Sequence, residues 1–244
     1  MEQEEREITD EAILLMIAIL GTSRDNIKRE LRSFYQQYGR DGVVTWKEAR
    51  KWIGSSDHRR RLTALLQVIS NEFDQIYGNL TPQFVEYLTK VIEKETDFFD
   101  AEVEIEKALY EDWGSDEQNW EERLAADVSL WFFYIQSDLK RFILRQTKID
   151  EILSQMDKRF TTMEKVLDTL ALSESTAVGS IARREIFKEL GITKYQFFTK
   201  VDERRCEVCG AMHGLIFPIS AYEVGVTASP IHPRCRCWEV PIVD

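Results

Sequence analysis

Apolar residues recur at helical spacing through most of the first 170 residues of the chain. The clearest apolar face continues for more than about six turns and comprises Trp120, Leu124, Val128, Trp131, Phe132, Ile135, Leu139, Phe142 and Ile143. An earlier face comprises Leu62, Leu65, Leu66, Ile69, Phe73, Ile76 and Tyr77. Gly78-Asn79 interrupts that earlier face, and Thr81-Pro82 is a typical N-cap and first helical position, so we expect a new helix from about residue 82. These spacings indicate helices whose apolar faces form a core.

Two further helices are predicted after the helix that contains Trp120. Apolar residues keep the helical period from Ile149 to Leu170, and Ser173 or Ser175 can cap one more helix that ends at Gly191 in a left-handed conformation. Ser115 or Asp116 is the predicted cap of the helix that contains Trp120. The pattern therefore predicts a mainly α fold, in which residues 1–172 form an elongated helical bundle with short connections.

The pattern changes after Gly191. Tyr195, Phe197, Thr199 and Val201 alternate with more polar neighbours, as in a half-buried strand. Short apolar runs at Leu215–Phe217 and at Trp238, Val240 and Ile242 predict two more strands. We therefore expect residues 173–244 to form a small α+β module.

Charge narrows the range of functions. The net charge is −11, with 23 basic and 35 acidic residues up to residue 180 and 9 basic and 8 acidic residues after it. A chain this acidic is a poor general binder of nucleic acid. Between Glu93 and Glu117 there are eleven acidic residues and two lysines, which we interpret as a solvated helix face, with a docking surface for a basic partner as the alternative.

The longest apolar run, Ala12 to Leu20, has nine residues, so we expect a soluble protein without an export signal.

The strongest chemical signal lies in the last 39 residues, which hold all four cysteines and two of the three histidines. Cys206-Glu-Val-Cys209 and His232-Pro-Arg-Cys235 are two half-sites of equal spacing separated by 22 residues, and Gly210 is expected to give the first turn its backbone freedom. Such half-sites can close a tetrahedral zinc site that stabilises a module with few apolar residues. We favour Cys206, Cys209, His232 and Cys235 as ligands of a structural Zn2+, with Cys237 in place of His232 or Cys235 as the alternative. Reduced thiols or a pair of disulfides would be the interpretation without metal.

A catalytic role is not expected. Nucleobase deaminases carry His-x-Glu before Pro-Cys-x-x-Cys, whereas here the order is reversed and no Glu lies two residues after a histidine. Four cysteines in one site favour metal ligation over a single activated thiol. His213, between the half-sites, is a further possible ligand, but the turn-like context favours a loop residue.

The C-terminal motif resembles that of the phage Mu F-like minor head proteins, the phage head morphogenesis family. The resemblance rests on Asp202-x-x-x-Cys206-x-x-Cys209 joined to His232-Pro-x-Cys235-Arg-Cys237, and it covers residues from about 175 to 240. The turn before Leu215 usually carries an acidic residue in the family, where this chain has His213.

The resemblance implies a minor capsid protein that associates with the portal during head assembly in the bacterial cytoplasm. Such a protein stays in the virion, has other head proteins as partners and aids DNA packaging or ejection. The alternative hypothesis is a zinc-containing DNA-binding accessory protein, motivated by nine basic residues in the tail: Arg183, Arg184, Lys188, Lys194, Lys200, Arg204, Arg205, Arg234 and Arg236.

Overall fold

A computed structural model describes residues 2–44 and 56–243, with side chains described over 10–44 and 60–243. Five helices come first: α1 (Glu2–Tyr38), α2 (Ser56–Phe99), α3 (Ile105–Leu109), α4 (Trp120–Leu144) and α5 (Ile149–Glu189). They are followed by β1 (Lys194–Thr199), α6 (Glu207–Met212), β2 (Ile216–Pro218), a 3-10 turn (Ile219–Ala221) and β3 (Cys237–Ile242). The predicted mainly helical fold with a small C-terminal sheet is confirmed. No helix among the described residues is long and apolar enough to cross a membrane.

The predicted break near residue 82 is wrong, because α2 continues through Pro82. Proline lacks an amide hydrogen, and its ring approaches the carbonyl four residues earlier, which here belongs to Gly78. The Thr81 hydroxyl donates to the Tyr77 carbonyl at 2.9 Å, so it bonds within the helix and does not cap a new one. Leu80 and Phe84 are both fully buried on either side of the proline. Core packing therefore outweighs the local signals for a helix end.

The predicted helix start at Ser173 or Ser175 is wrong for a similar reason. Both serines lie inside the 41-residue helix α5. The Ser173 hydroxyl donates to the Thr169 carbonyl at 2.7 Å, and the Ser175 hydroxyl donates to the Leu172 carbonyl at 3.0 Å. A hydroxyl that bonds back to the preceding turn is compatible with a helix interior. The helix ends, as predicted, before a left-handed Gly191 with φ of 70°.

The cap of α4 is Asn119, and the prediction of Ser115 or Asp116 is wrong. The Asn119 side-chain oxygen accepts hydrogen bonds from the amides of Glu121 and Glu122 at 3.0 and 3.2 Å. In return the Glu122 carboxylate accepts the Asn119 amide at 3.3 Å, which completes a capping box. Asp116 instead binds the Arg123 guanidinium at 2.6 Å.

The C-terminal sheet is antiparallel, with the strand order β2-β1-β3. Tyr195, Phe197 and Thr199 of β1 are buried, which confirms the predicted alternation. In β3 the buried residues at the start of the strand are Cys237 and Glu239, whereas Trp238 and Val240 are exposed. The strand was predicted from its apolar positions, yet the side it buries near the cysteines carries a thiol and a carboxylate.

The chain divides into two compact units. The first comprises Met1–Ala12, Pro82–Arg123 and Asp168–Asp244, and the second comprises Ile13–Thr81 and Leu124–Leu167. In the first, Trp120 stacks on Phe84 with ring centroids 5.6 Å apart. In the second, the fully buried side chains include Leu20, Ile27, Ile69, Ile135 and Phe160. Both cores contain the apolar positions that the helical spacing predicts. The predicted division at residues 172 and 173 stays a prediction.

Candidate metal centre

The first Cys half-site forms the start of α6. Cys206 is the N-cap, and its sulfur accepts the Cys209 amide at 3.3 Å, so two cysteine sulfurs share one helical turn. Gly210 continues the helix, and its amide donates to the Cys206 carbonyl at 2.9 Å. Its φ is not among the positive values of the described glycines, so the predicted need for glycine flexibility here is wrong. Gly214, just after the helix, has a positive φ of 82°.

The second half-site lies in the loop before β3. The Cys235 amide donates to the His232 carbonyl at 3.1 Å, which closes a turn around Arg234. The Arg234 amide donates to the Ser173 hydroxyl at 3.0 Å, and its guanidinium contacts Asp168, so α5 holds this loop at two points. His232 Nδ1 lies 2.9 Å from the Pro233 carbonyl. That carbonyl favours a proton on Nδ1 and leaves the Nε2 lone pair for the sulfurs or a metal.

The two half-sites converge on one point. His232 Nε2 lies 3.2 Å from the sulfurs of both Cys206 and Cys209, and the Cys209 sulfur lies 3.8 Å from that of Cys235. Cys206, Cys209 and His232 form one group of possible ligands, and Cys209, Cys235 and Cys237 form a second, each with ligand atoms within 4.8 Å of one another. Cys209 belongs to both groups and links them, so the five predicted residues lie in two adjoining groups.

These distances suit a tetrahedral metal. With a Zn–S bond of about 2.3 Å, two thiolates on one zinc lie about 3.8 Å apart, which equals the Cys209–Cys235 separation. A sulfur and an imidazole nitrogen on one zinc lie about 3.6 Å apart, so the two contacts of His232 would lengthen slightly around an ion. No disulfide joins the four cysteines, all of which are free thiols.

Burial and mutual contact shift the pKa values of the thiols in opposite directions. A hydrogen bond from Cys237 lowers the pKa of Cys235 to about 5, and burial raises the pKa of Cys209 to about 12. The hydrogen bond from the Cys209 amide lowers the pKa of Cys206, while contact with Cys235 raises the pKa of Cys237. Thiols this close cannot all ionise unless a cation compensates their charge. The group is therefore suited chemically to a divalent metal.

The apolar surroundings of the cluster are small. Phe197, Cys209, Cys235 and Cys237 are buried together, and Cys206, Met212, Phe217 and Ile231 pack against them. Half of this local core consists of cysteine side chains. Apolar burial therefore stabilises the immediate surroundings of the cluster only weakly.

A buried ionic network that the sequence reasoning missed lies beside the cluster. The Glu239 carboxylate accepts hydrogen bonds from the Ser229 amide at 2.6 Å, Arg183 at 2.9 Å, Ser180 at 3.0 Å and Tyr222 at 3.1 Å. Its side chain is 0% exposed, so these four donors replace its hydration shell. The network joins β3 and the loop at Ser229 to helix α5. The signal in the sequence was the position of Glu239 two residues after Cys237, which places both on one side of a strand.

Several basic residues of the tail are held by acidic partners. Arg183 binds both oxygens of Glu95 at 2.6 and 2.8 Å, and Arg184 binds both oxygens of Glu111 at 2.6 and 2.7 Å. Arg234 contacts Asp168, as described above. The Arg236 guanidinium forms a pair of hydrogen bonds with Asp202. Part of the acidic stretch between Glu93 and Glu117 therefore binds cations of the same chain, which neither the solvated-face nor the docking interpretation predicted.

His213 lies outside both groups of possible ligands. Its Nδ1 accepts the Thr199 amide at 3.2 Å, and its ring meets that of Phe198 edge-on at 5.4 Å. It follows the last residue of α6, so the interpretation as a loop residue is confirmed.

The fold and this cluster define a class of domain in which a long helix leads into a small sheet that carries a Cys/His centre. Residues 134–240 match the family model described as Phage Mu protein F like protein. These matched residues, somewhat less than half of the chain, are similar to the phage Mu F-like family of phage head morphogenesis proteins, and this match confirms the resemblance given by the motif. The comparisons with curated proteins and with solved structures gave no significant match. The family implies a head protein of a phage, with a place in the virion and other head proteins as partners.

Proposed function

We propose that this protein is a minor capsid protein that associates with the portal during head assembly and assists DNA packaging or ejection. The observation that carries this proposal is the phage Mu F-like segment at residues 134–240, which contains the complete five-residue Cys/His cluster. Assembly would take place in the cytoplasm of the host bacterium.

The cluster is proposed to be a structural zinc site with Cys206, Cys209, His232 and Cys235 as ligands. The contacts of His232 with the first two sulfurs and of Cys209 with Cys235 support this set. Cys237 lies in the second group of possible ligands and is the alternative to His232 or Cys235. A bound zinc would supply positive charge for the thiolates and tie α6 to the loop before β3.

We propose a structural role and no catalytic one. Three of the four cysteines are buried, at 2 to 6% exposure, and the cluster is packed against Phe197. A catalytic thiol needs access to a substrate, which the buried sulfurs lack.

The proposed place in the head has a direct test. The portal protein is purified from infected cells that express a tagged copy of this chain, and finished heads are inventoried by mass spectrometry. We expect the chain to copurify with the portal and to be present in heads at low copy number. Its absence from heads, together with no portal in the pull-down, would contradict the proposal.

The second candidate is a zinc-containing DNA-binding accessory protein. Arg205 and Lys194 are basic residues of the tail without an ion pair to a described carboxylate, whereas Arg183, Arg184, Arg234 and Arg236 are paired with carboxylates. Titration of the full chain against duplex DNA at several salt concentrations separates the candidates. Binding that weakens steeply as salt rises would favour the DNA-binding protein. No binding at low salt would remove it.

A further inference from the structure

Helix α4 carries large apolar side chains, Leu130 and Phe133, that the described residues leave about half exposed. From Leu130 to Ile135 every side chain is apolar or aromatic, so the helix is hydrophobic on all sides there. Trp131 and Ile135 face the core and are 5% and 0% exposed. Leu130, Phe133 and Tyr134 point away from it, with exposures of 45%, 59% and 41%, and the Arg159 guanidinium lies over the Tyr134 ring at 5.2 Å. A helix that is apolar all round is normally covered on all sides, so this face indicates a contact with another molecule.

The exposed positions follow the spacing of a helix-pairing seam. Ala126, Leu130, Phe133 and Ser137 are all exposed and are separated by four, three and four residues. Alternating steps of four and three are typical of side chains that pack against a second helix. Small side chains at Ala126 and Ser137 flank the two large ones, which leaves room for a partner helix to approach closely.

Charge along the same helix is asymmetric. Its first turn carries Glu121 and Glu122, whereas its last part carries Lys140 and Arg141. Near that end Asp138 is shared by Arg141 and Arg159, at 2.5 and 2.7 Å, so one carboxylate neutralises only one of two cations. The helix therefore begins acidic and ends basic, with the apolar face between.

We propose that this face binds the same face of a second copy of the chain, with the two α4 helices antiparallel. In that arrangement Leu130 lies opposite the partner's Phe133, and Glu122 lies opposite the partner's Arg141. The acidic start of each helix meets the basic end of the other, so the surface is complementary to itself, as a twofold interface requires. This self-association is independent of the proposed role in the head.

The like charges Arg123 and Lys140 would also lie opposite one another. Arg123 is turned inward, where it binds Asp116 and Glu174 at 2.6 and 2.9 Å, and its side chain is only 15% exposed. Lys140 binds Gln136 of its own helix at 3.1 Å. The charge of Arg123 is therefore neutralised by its own carboxylates, and Asp138, shared by two cations, leaves net positive charge at Arg141 that favours the antiparallel orientation.

Sedimentation equilibrium of the full chain tests the proposal. A single pair of helices is a small interface, so we expect reversible dimers with a dissociation constant of about 1 to about 100 μM. The double variant Leu130→Gln, Phe133→Gln should weaken dimerisation by about tenfold or more, because it removes the apolar centre. The matched control is Phe98→Gln, since Phe98 is also 59% exposed but lies on α2. It should leave dimerisation unchanged, and circular dichroism should show that both variants keep their helix content.

Charge exchange tests the orientation. Glu122→Lys and Arg141→Glu should each weaken dimerisation, since each substitution places two charges of the same sign opposite one another across the interface. The combined variant should restore it, because the pairs then re-form with the signs exchanged. A parallel pair of helices would show no such restoration and would overturn the antiparallel arrangement.

The proposal is overturned if the wild-type chain remains monomeric at the highest concentration. It is also overturned if Phe98→Gln weakens dimers as much as the double variant does. Binding of the portal protein through Leu130 and Phe133 without any self-association would assign this face to another partner, and it would equally overturn the proposal.

Discussion

The helical part of the chain and the C-terminal segment around the Cys/His cluster are stabilised in different ways. Helices α1, α2, α4 and α5 bury many interchangeable aliphatic and aromatic residues, such as Leu20, Ile69 and Phe160. Around the cluster the buried set is Phe197 with three cysteines, and the adjoining carboxylate of Glu239 takes four hydrogen bonds. The apolar helix faces stabilise the fold through many residues that each contribute a part, whereas around the cluster the stabilisation depends on a few residues. Single substitutions in the two regions should therefore have different consequences.

The largest effect is expected at Cys209, which belongs to both groups of possible ligands. Cys209→Ser should abolish metal binding and unfold β1, α6 and β3, because structural zinc contributes about 10–16 kcal/mol in small zinc domains. Amide hydrogen exchange should show lost protection in these elements while α4 stays protected.

The matched control for Cys209 is Val208→Ser, an exposed position in the same short helix. It should retain both metal and protection. Full protection of β1 and β3 in Cys209→Ser would mean that the cluster does not hold the segment together.

The next effect belongs to the helical part. Phe160 of α5 is fully buried, so Phe160→Ala should lower the free energy of unfolding by about 3–5 kcal/mol and leave metal content unchanged. Urea denaturation measures the first quantity and elemental analysis the second. The exposed Phe98 offers the control, because its replacement by alanine should change stability by no more than about 0.5 kcal/mol. Loss of metal in Phe160→Ala would break the distinction between the two regions.

A smaller effect is expected from the buried network. Glu239→Gln keeps one acceptor oxygen but removes the charge that faces Arg183, so we expect a loss of about 2–3 kcal/mol. Arg183 retains its two hydrogen bonds with Glu95, which limits the cost. Glu223→Gln, at an exposed position of the same segment, should be close to neutral. Equal stability of the two variants in urea would show that the network does not stabilise the fold.

The smallest effect concerns pH. Burial alone would raise the pKa of Glu185, but hydrogen bonds from Lys188, Arg184 and Lys107 outweigh it and lower the pKa to about 2. Since the folded pKa lies below the unfolded one, the stabilisation is fully present above about pH 4.5 and is lost as pH falls towards 2. The carboxylate is partly exposed and screened, so Glu185→Gln should cost about 1 kcal/mol at neutral pH and nothing near pH 2. A pH-independent difference would contradict the assignment.

The sequence predicted much of both regions, for reasons that differ. Helical spacing predicted the buried faces of α4 and α5, because burial follows a local period. Local signals at Pro82 and Ser173 wrongly predicted helix ends, since packing and hydroxyl back-bonding keep both residues within helices. The two half-sites lie near each other, in two groups of possible ligands that share Cys209, and the choice of four ligands stays a prediction. Arg183 forms ion pairs with Glu95 and Glu239, which lie 88 and 56 positions away in the sequence. Local sequence patterns do not predict contacts over such separations.

The most direct test is elemental analysis of the purified full-length chain, combined with hydrogen exchange of residues 194–242. We predict one zinc per chain and strong protection of β1 and β3, both lost together when a chelator removes the metal. A chain that contains no zinc and keeps the same protection would contradict the metal-centred account of the C-terminal segment.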